Sequence, residues 1–330
     1  MNSYFLSYSA KNPYLIIKQT LLDLQILLTM FTIRQITFIS LLFMTFNSVA
    51  QDKLNVLIDA DSGNEVDDPY ALVRALIEPT WNITTINATH WQTSHWAIDE
   101  TMENSHRVNQ TILGFFDSSI PTKRGGVARM YDWGDQAQHS AAAYEIIKQV
   151  NGLIPGQKLD IVALGALTNV ASAVYIQPDI SDQIRLHWLG STYDFEKGIL
   201  RKNDFNCMMD IQALDLLLFS DVEMHIIPVN IAAQMQFDYD EAFDKLSNSG
   251  RVGKFLLDRW DNHLDGGRNE RVIWDLALIT GIIHPEWIEK ETILTSKDNG
   301  GREIQFIKDI DEKAIIQDFY TTLNEWNTNR

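Results

Sequence analysis

From residue 54 onward, short apolar runs of strand length alternate with longer amphipathic segments, and few folds satisfy that order. The runs at residues 54–58, 83–86, 159–164, 184–189 and 222–229 are dominated by apolar and β-branched residues. Such runs suit strands covered on both faces better than strands with one wet face. Segments 69–77, 137–150, 168–175 and 211–219 read as helices, and 242–246, 252–264 and 276–283 add more. Asp67-Asp68 ahead of Pro69 marks a helix start, since acids and proline both favour the first turn. Strand and helix in alternation predict an α/β fold, a mainly parallel central sheet with helices on both faces. No repeat and no Pro/Gly/Ser-rich linker divides residues 51–330, which read as a single domain. In such a sheet ligands bind beyond the carboxyl ends of the strands, so chemistry is expected in the loops that follow strands.

Charge narrows the function. The 330 residues carry 27 Lys+Arg against 44 Asp+Glu, a formal net charge of −17. The chain lacks the basic footprint that displaces counterions from a nucleic-acid polymer, so a small molecule is the expected partner. A single cysteine, Cys207, excludes an intrachain disulfide framework. The acidity is uneven. Lys11, Lys18 and Arg34 against Asp23 give the first 50 residues a net of +2, which leaves −19 on the remainder. Arg34, the apolar stretch 36–46 and Ser48-Val49-Ala50 form a secretory signal pattern within about residues 30–50. Met30 would start such a signal, with residues 1–29 as upstream translation. The uncharged run 35–51 holds 17 residues, short of the ~20 apolar residues of a stable membrane span. A retained anchor is the alternative. The expectation is a leader over residues 1–50 and an exported mature chain, periplasmic or secreted.

Asp59, Asp61, Glu65, Asp67 and Asp68 place five carboxylates where the first strand ends and a helix begins. One or two acids there are ordinary, because free N–H groups and the helix dipole attract negative charge. Five repel one another at close range and require a counter-charge. A hard cation with several oxygen ligands, most naturally Ca²⁺, answers that need. The spacing departs from an EF-hand loop, which alternates its ligands and closes on a glutamate. Asp59-Ala60-Asp61 also fits the spacing of an aspartyl nucleophile in phosphoryl transfer. No lysine-anchored second motif or later paired-aspartate loop accompanies it.

The loop belongs to a longer pattern. Asp59-Ala60-Asp61-Ser62-Gly63, three residues, then Asp67-Asp68 is similar to the Asp-x-Asp-Pro-Gly-x-Asp-Asp signature of the inosine–uridine-preferring nucleoside hydrolases. Leu164-Gly165-Ala166-Leu167-Thr168-Asn169-Val170-Ala171 resembles that family's Gly-Pro-Leu-Thr-Asn-x-Ala turn. Asn203-Asp204-Phe205-Asn206 with Asp210 resembles its Glu-Phe-Asn-x-x-x-Asp-Pro segment, and Trp274-Asp275-Leu276-Ala277 its late His-Asp-x-x-Ala motif. The four stretches keep the family's order.

The resemblance implies a Rossmann-like nucleoside hydrolase fold. It also implies hydrolysis of a nucleoside's N-glycosidic bond, to free base and ribose, through a ribosyl cation-like transition state. It implies Ca²⁺ held by Asp61, Asp68, the Thr168 carbonyl and Asp275, with Asp67 as general base toward the attacking water. Asp204 and Asn206 fall where the family grips the ribose hydroxyls, the acid lying beneath the ring oxygen. Carboxylates suit these tasks: one completes deprotonation of an acidified water, and another opposes positive charge on the sugar. Thr168 and Asn169 would also cap a helix, and the two roles can coexist. Relatives are often homodimers or homotetramers, so a homo-oligomer is implied by analogy alone.

The chain departs from the pattern at several points. Asn64-Glu65-Val66 stand where the commonest family form has one residue, Ser62 replaces proline, and Asp204 replaces glutamate. The longer loop brings Asn64 or Glu65 toward the metal as alternatives. The family's early Asn ligand has no clean counterpart near Thr89-His90-Trp91-Gln92. Trp274 stands where pyrimidine-tolerant members have His, and resembles purine-preferring members that stack an aromatic ring on the base. Trp91 is expected on the base's other face and His90 as a leaving-group acid, with a core tryptophan as the alternative for either indole. These departures keep two further readings open. One is a non-catalytic ribose- or sugar-binding protein on the same fold; the other is hydrolysis of a different ribosyl conjugate.

Overall fold

The computed structural model describes residues 13–45, 53–264 and 266–329. Residues Pro13–Thr45 form one helix, and among the described residues no helix is long and apolar enough to cross a membrane. The expected cleavage site Ser48-Val49-Ala50 lies outside the described residues.

From residue 53 the strands follow in order as β1 (Leu54–Ala60), β2 (Trp81–Ala88), β3 (Thr122–Arg124), β4 (Leu159–Ala163) and β5 (Ile184–Leu189). Then come β6 (Thr192–Asp194), β7 (Ile199–Arg201), β8 (Glu223–Ile227), β9 (Gln236–Asp238), β10 (Glu270–Val272), β11 (Ile288–Leu294) and β12 (Glu303–Ile310). Eight of them build one sheet in the order β11-β12-β8-β5-β4-β1-β2-β3. All its pairings are parallel except that of β11 with β12. Two short antiparallel ribbons, β6 with β7 and β9 with β10, lie outside it. The chain leaves β1 toward β2 and β3, then returns to its other side at β4. That reversal makes the carboxyl ends of β1 and β4 the switch point where such sheets open a crevice.

Side-chain alternation along β1 explains the unbroken apolar run. Val56, Ile58 and Ala60 join a core on one face with Tyr70, Trp260 and Phe319. Leu57 points to the other face, into a core with Ile146, Val170 and Leu217. Helices therefore cover both faces, as the alternating pattern predicts. Helix Asp67–Leu76 begins slightly earlier than expected and takes both aspartates into its first turn. Helix Ala141–Asn151 begins later, because the Ser140 hydroxyl accepts the Ala143 N–H at 3.1 Å and caps it there. Helix Trp274–Ile283 starts early enough to put Asp275 in its first turn.

Helix Thr101–Phe115, the β11–β12 pair and the closing helix Glu312–Thr328 add to the expected elements. The closing helix fixes the acidic one. Arg74 is 2% exposed and sits 2.9 Å from Glu78 on its own helix and 2.6 Å from Asp318 on the closing helix. Arg74→Met removes the guanidinium from the buried Glu78 and from the half-buried Asp318, which then keeps only His284 Nε2 at 3.5 Å. It is expected to lower the unfolding free energy by about 3–5 kcal/mol in urea denaturation. A loss below ~1 kcal/mol would show the tether to be dispensable.

Candidate active site

The turn between β1 and helix Asp67–Leu76 is braced from within and from two sides. The Asn64 N–H donates to the Asp61 carbonyl at 2.8 Å. The Ser62 hydroxyl donates to Asn109, and the Gly63 N–H lies 3.4 Å from Ser105 Oγ, both on helix Thr101–Phe115. A Cβ on Gly63 would stand 1.9 Å from Asn104 Oδ1, so only glycine lets the turn approach that helix. From the other side Arg259 donates to the carbonyls of Ser62 and Glu65 at 3.2 and 2.8 Å. His263 Nε2 lies 3.1 Å from the Asn64 carbonyl. The longer Asn64-Glu65-Val66 loop is therefore held, not slack.

Four carboxylates meet at this edge. Asp61 follows β1, Asp67 and Asp68 open one helix, and Asp275 opens another. Oxygens of Asp67, Asp68 and Asp275 lie within 4.8 Å of one another, all three side chains buried. Burial raises each of the four well above the ordinary carboxylate range, and a neighbour raises it further. Asp67 acts so on Asp61, Asp68 on Asp67, Asp61 on Asp68, and Asp67 on Asp275. Asp61 presses on the turn after β4, where a Cβ at Gly165 would lie 2.4 Å from its Oδ1. Asp61 Oδ2, Asp68 Oδ1 and Asp275 Oδ1 are buried without a hydrogen-bond partner. Three orphaned oxygens from three carboxylates fit a hard, oxygen-liganded divalent cation. Asp59 turns away. Its Oδ1 accepts from Asn169 Nδ2 at 2.8 Å on the far face of β1, and burial raises its pKa to about 7.

A cavity of about 140 Å³ opens on the four carboxylates, and Asn64, Asp204, Asn206 and Trp274 also line it. Asp204 caps helix Phe205–Met209, accepting the Asn206 N–H at 3.1 Å and the Ser191 N–H at 2.7 Å. Burial nonetheless holds its carboxyl above the usual range. Asn206 donates both amide hydrogens to backbone carbonyls, Leu164 at 2.6 Å and Leu189 at 2.9 Å. It ties the ends of β4 and β5 together and keeps only its oxygen for the cavity. Thr168 opens helix Thr168–Ile176, and its hydroxyl donates to Asp210 at 2.6 Å. The side chain is thus engaged, and Thr168 is not among the residues that line the cavity.

The structure does not bring His90 or Trp91 to the cavity wall. His90 is fully buried, with Nε2 3.0 Å from Thr168 Oγ1 and Nδ1 accepting the Gln92 N–H at 3.4 Å. The Thr168 hydrogen is directed to Asp210, so His90 donates from Nε2 and is a neutral, fixed tautomer. Such a ring has no proton free for a leaving base. Trp91 packs in a small core with Ala166 and Met209. The aromatic side chains lining the inner cavity are instead Trp274 and Phe205, and Trp96 stacks on Phe205 at 5.3 Å and 17°. Trp96 Nε1 donates to Asn64 Oδ1 at 3.0 Å. Trp96, His95 and His263 line a second cavity of about 630 Å³, bordered like the first by Glu65 and Trp274.

Burial lowers the His90 pKa to about 4. Because this lies below the unfolded value near 6.5, the neutral ring's contribution is complete above pH 6.5 and is lost as the pH falls toward 4. The difference in unfolding free energy between wild type and His90→Gln is expected to shrink by about 3 kcal/mol between pH 7 and pH 4. A pH-independent difference would contradict the neutral buried state.

Comparison with known proteins identifies the family. Residues 56–317 match the family model of inosine-uridine preferring nucleoside hydrolases. The chain is 24% identical over 272 residues to the non-specific ribonucleoside hydrolase RihC of Salmonella paratyphi B, covering 76% of this chain and 85% of that relative. It is 23% identical over 263 residues to probable uridine nucleosidase 1 of Oryza sativa subsp. japonica, covering 72% and 79%. The solved purine-preferring ribonucleoside hydrolase from Gardnerella vaginalis shares the fold. Its TM-score is 0.64 at 18% identity, over 84% of this chain and 100% of that one. The family match spans all four motifs and every carboxylate of the cluster, so the chain belongs to the inosine–uridine-preferring nucleoside hydrolase family and is an N-glycosyl hydrolase.

Proposed function

We propose that the enzyme hydrolyses ribonucleosides to free base and ribose, purine nucleosides in preference to pyrimidine ones, with Asp67 as general base. The observation that carries this reading is the meeting of Asp67 with the orphaned oxygens of Asp61, Asp68 and Asp275 on one cavity at the sheet's switch point. When bound by those three carboxylates, Ca²⁺ supplies Lewis acidity toward oxygen ligands and an anchor for vicinal hydroxyls.

Asp67 accepts a proton from the attacking water as the water oxygen bonds to the anomeric carbon. The N-glycosidic bond breaks with its electron pair passing to the base nitrogen, which gains a proton. Asp204 opposes the positive charge that develops on the sugar ring. Its N–H donors, from Ser191, Asn206 and Cys207, hold the carboxylate in place. The Asn206 oxygen accepts from a ribose hydroxyl. Trp274 borders both cavities, so a base leaving the inner one lies against the indole, and Trp96 offers a second aromatic surface beyond it. Two indoles favour the larger purine ring. His95 and His263 line the outer cavity, and we assign protonation of the base to one of them. The leader pattern supports export of the enzyme.

Free base and reducing sugar released from inosine, adenosine, guanosine and uridine test the reading. Purine nucleosides are expected to give the higher kcat/KM, with activity abolished by chelator and restored by Ca²⁺. Asp67→Asn is expected to lower kcat by about 10²- to 10⁴-fold. Turnover that survives both chelator and Asp67→Asn would overturn the mechanism. Saturable ribose binding with no turnover of any nucleoside would favour a sugar-binding protein instead. Separately, Ca²⁺ at about a hundredfold excess over its Kd should raise the unfolding free energy by about 3 kcal/mol in the wild type and by much less in Asp275→Asn.

A further inference from the structure

The lengthened loop Asn64-Glu65-Val66 borders both cavities: Asn64 and Glu65 line the inner one, Glu65 and Val66 the outer one. Asn64 is 5% exposed, and its polar groups are shared among three neighbours. Its N–H donates to the Asp61 carbonyl at 2.8 Å. Its own carbonyl lies 3.1 Å from His263 Nε2, and its Oδ1 accepts the Trp96 Nε1 hydrogen at 3.0 Å. An indole N–H only donates and a carbonyl only accepts, so the amide oxygen faces Trp96 and His263 Nε2 carries its hydrogen. The side-chain oxygen that the sequence offered to a metal is thus turned to an indole. Both partners of Asn64's oxygens, Trp96 and His263, line the outer cavity.

Trp96 depends on that bond more than a tryptophan in a helix or strand would. It lies between β2 and helix Thr101–Phe115, in a segment with neither strand nor helix, so side-chain contacts bear much of its placement. One is the stack on Phe205, which itself lines the inner cavity. The other is an edge-on meeting with the His95 ring, at 4.5 Å and 85°. Stacking fixes the plane of an indole but lets it slide and turn within that plane. A directional hydrogen bond from Nε1 removes that freedom. The anchor is firm, because Asn64 belongs to the turn that Arg259 and Ser105 brace through its backbone.

Resting on the purine reading given under Proposed function, we propose that Asn64 is the positioning residue for the base. It acts through Trp96, holding the indole and the Phe205 ring stacked on it as the wall that a base leaving the inner cavity meets. A purine extends farther from the ribose than a pyrimidine, so it gains more from a wall held in one place. The preference for the larger base is then carried by a residue of the lengthened loop as well as by the aromatic rings themselves.

Steady-state kinetics with inosine and uridine, together with calorimetric Ca²⁺ titration of the same full-length proteins, test this role. Asn64→Ala and Trp96→Phe each remove one side of the hydrogen bond, and Trp96→Phe keeps an aromatic ring against Phe205. Each is expected to lower the inosine-to-uridine ratio of kcat/KM about fivefold, mainly through a higher KM for inosine. The double variant should fall no further than the lower single one, because both act through one bond. Ca²⁺ affinity is expected to be unchanged in Asn64→Ala. Trp96 is partly exposed, so Trp96→Phe carries the test where Asn64→Ala fails to fold. An unchanged ratio in either single variant, or independent losses that add in the double one, would overturn the proposal and leave the purine reading standing. So would weakened Ca²⁺ binding with kcat lowered alike for both nucleosides, which would assign Asn64 to the metal. A wild type without purine preference would overturn the purine reading itself, and this role with it.

Discussion

Mutual repulsion among Asp61, Asp67, Asp68 and Asp275 is the constraint around which the rest of this fold is arranged. Like charges deprived of water drive apart unless their backbone is held and an opposing field is supplied. The field comes partly from two helices. Asp67 and Asp68 occupy the first turn of one and Asp275 the first turn of another, where unpaired N–H groups and the dipole favour negative charge. The holding comes from neighbours that avoid the carboxylates: Arg259 on the turn's carbonyls, Ser105 at its glycine N–H and Asn109 on the Ser62 hydroxyl. The carboxylate oxygens stay available because the bracing bypasses them.

The sheet makes this concentration geometrically possible. Asp61 and Asp275 are far apart in sequence, yet one follows a strand and the other opens a helix at the same edge. Gly165 closes the gap between β1 and β4 by carrying no Cβ beside Asp61. Asn206 then locks β4 to β5 through their terminal carbonyls. Backbone hydrogen bonds and one missing methyl group thereby set the floor of the cavity. The Arg74 tether carries that rigidity outward to the closing helix.

Much of this was legible in the sequence, and the rest was hidden for identifiable reasons. Carboxylate density at a strand-to-helix junction pointed to the cluster, because that density has few other physical uses. It did not separate Asp59, whose side chain shares the face of Leu57 and pairs with Asn169. Helix Thr101–Phe115 escaped apolar periodicity because its buried face includes Ser105, His106 and Asn109. Two of these hold the acidic turn, so the polarity that hid the helix is the polarity the turn requires. Trp91 and Trp96 are both indoles in one short loop, and only the path of that loop decides which reaches a cavity. His90 looked like a proton donor by residue type. Its partner Thr168, 78 positions away, makes it a structural ring.

The two hydrogen bonds from the Asn206 amide have a consequence for what the inner cavity admits. With the nitrogen committed to Leu164 and Leu189, the residue adds one more oxygen to a wall that already holds five aspartate carboxyls. A phosphate or carboxylate entering there would meet lone pairs and negative potential from several directions. A neutral polyol brings its own hydrogens and can satisfy those oxygens. A wall of acceptors alone therefore suits the hydroxyls of an uncharged sugar better than the oxygens of a phosphate.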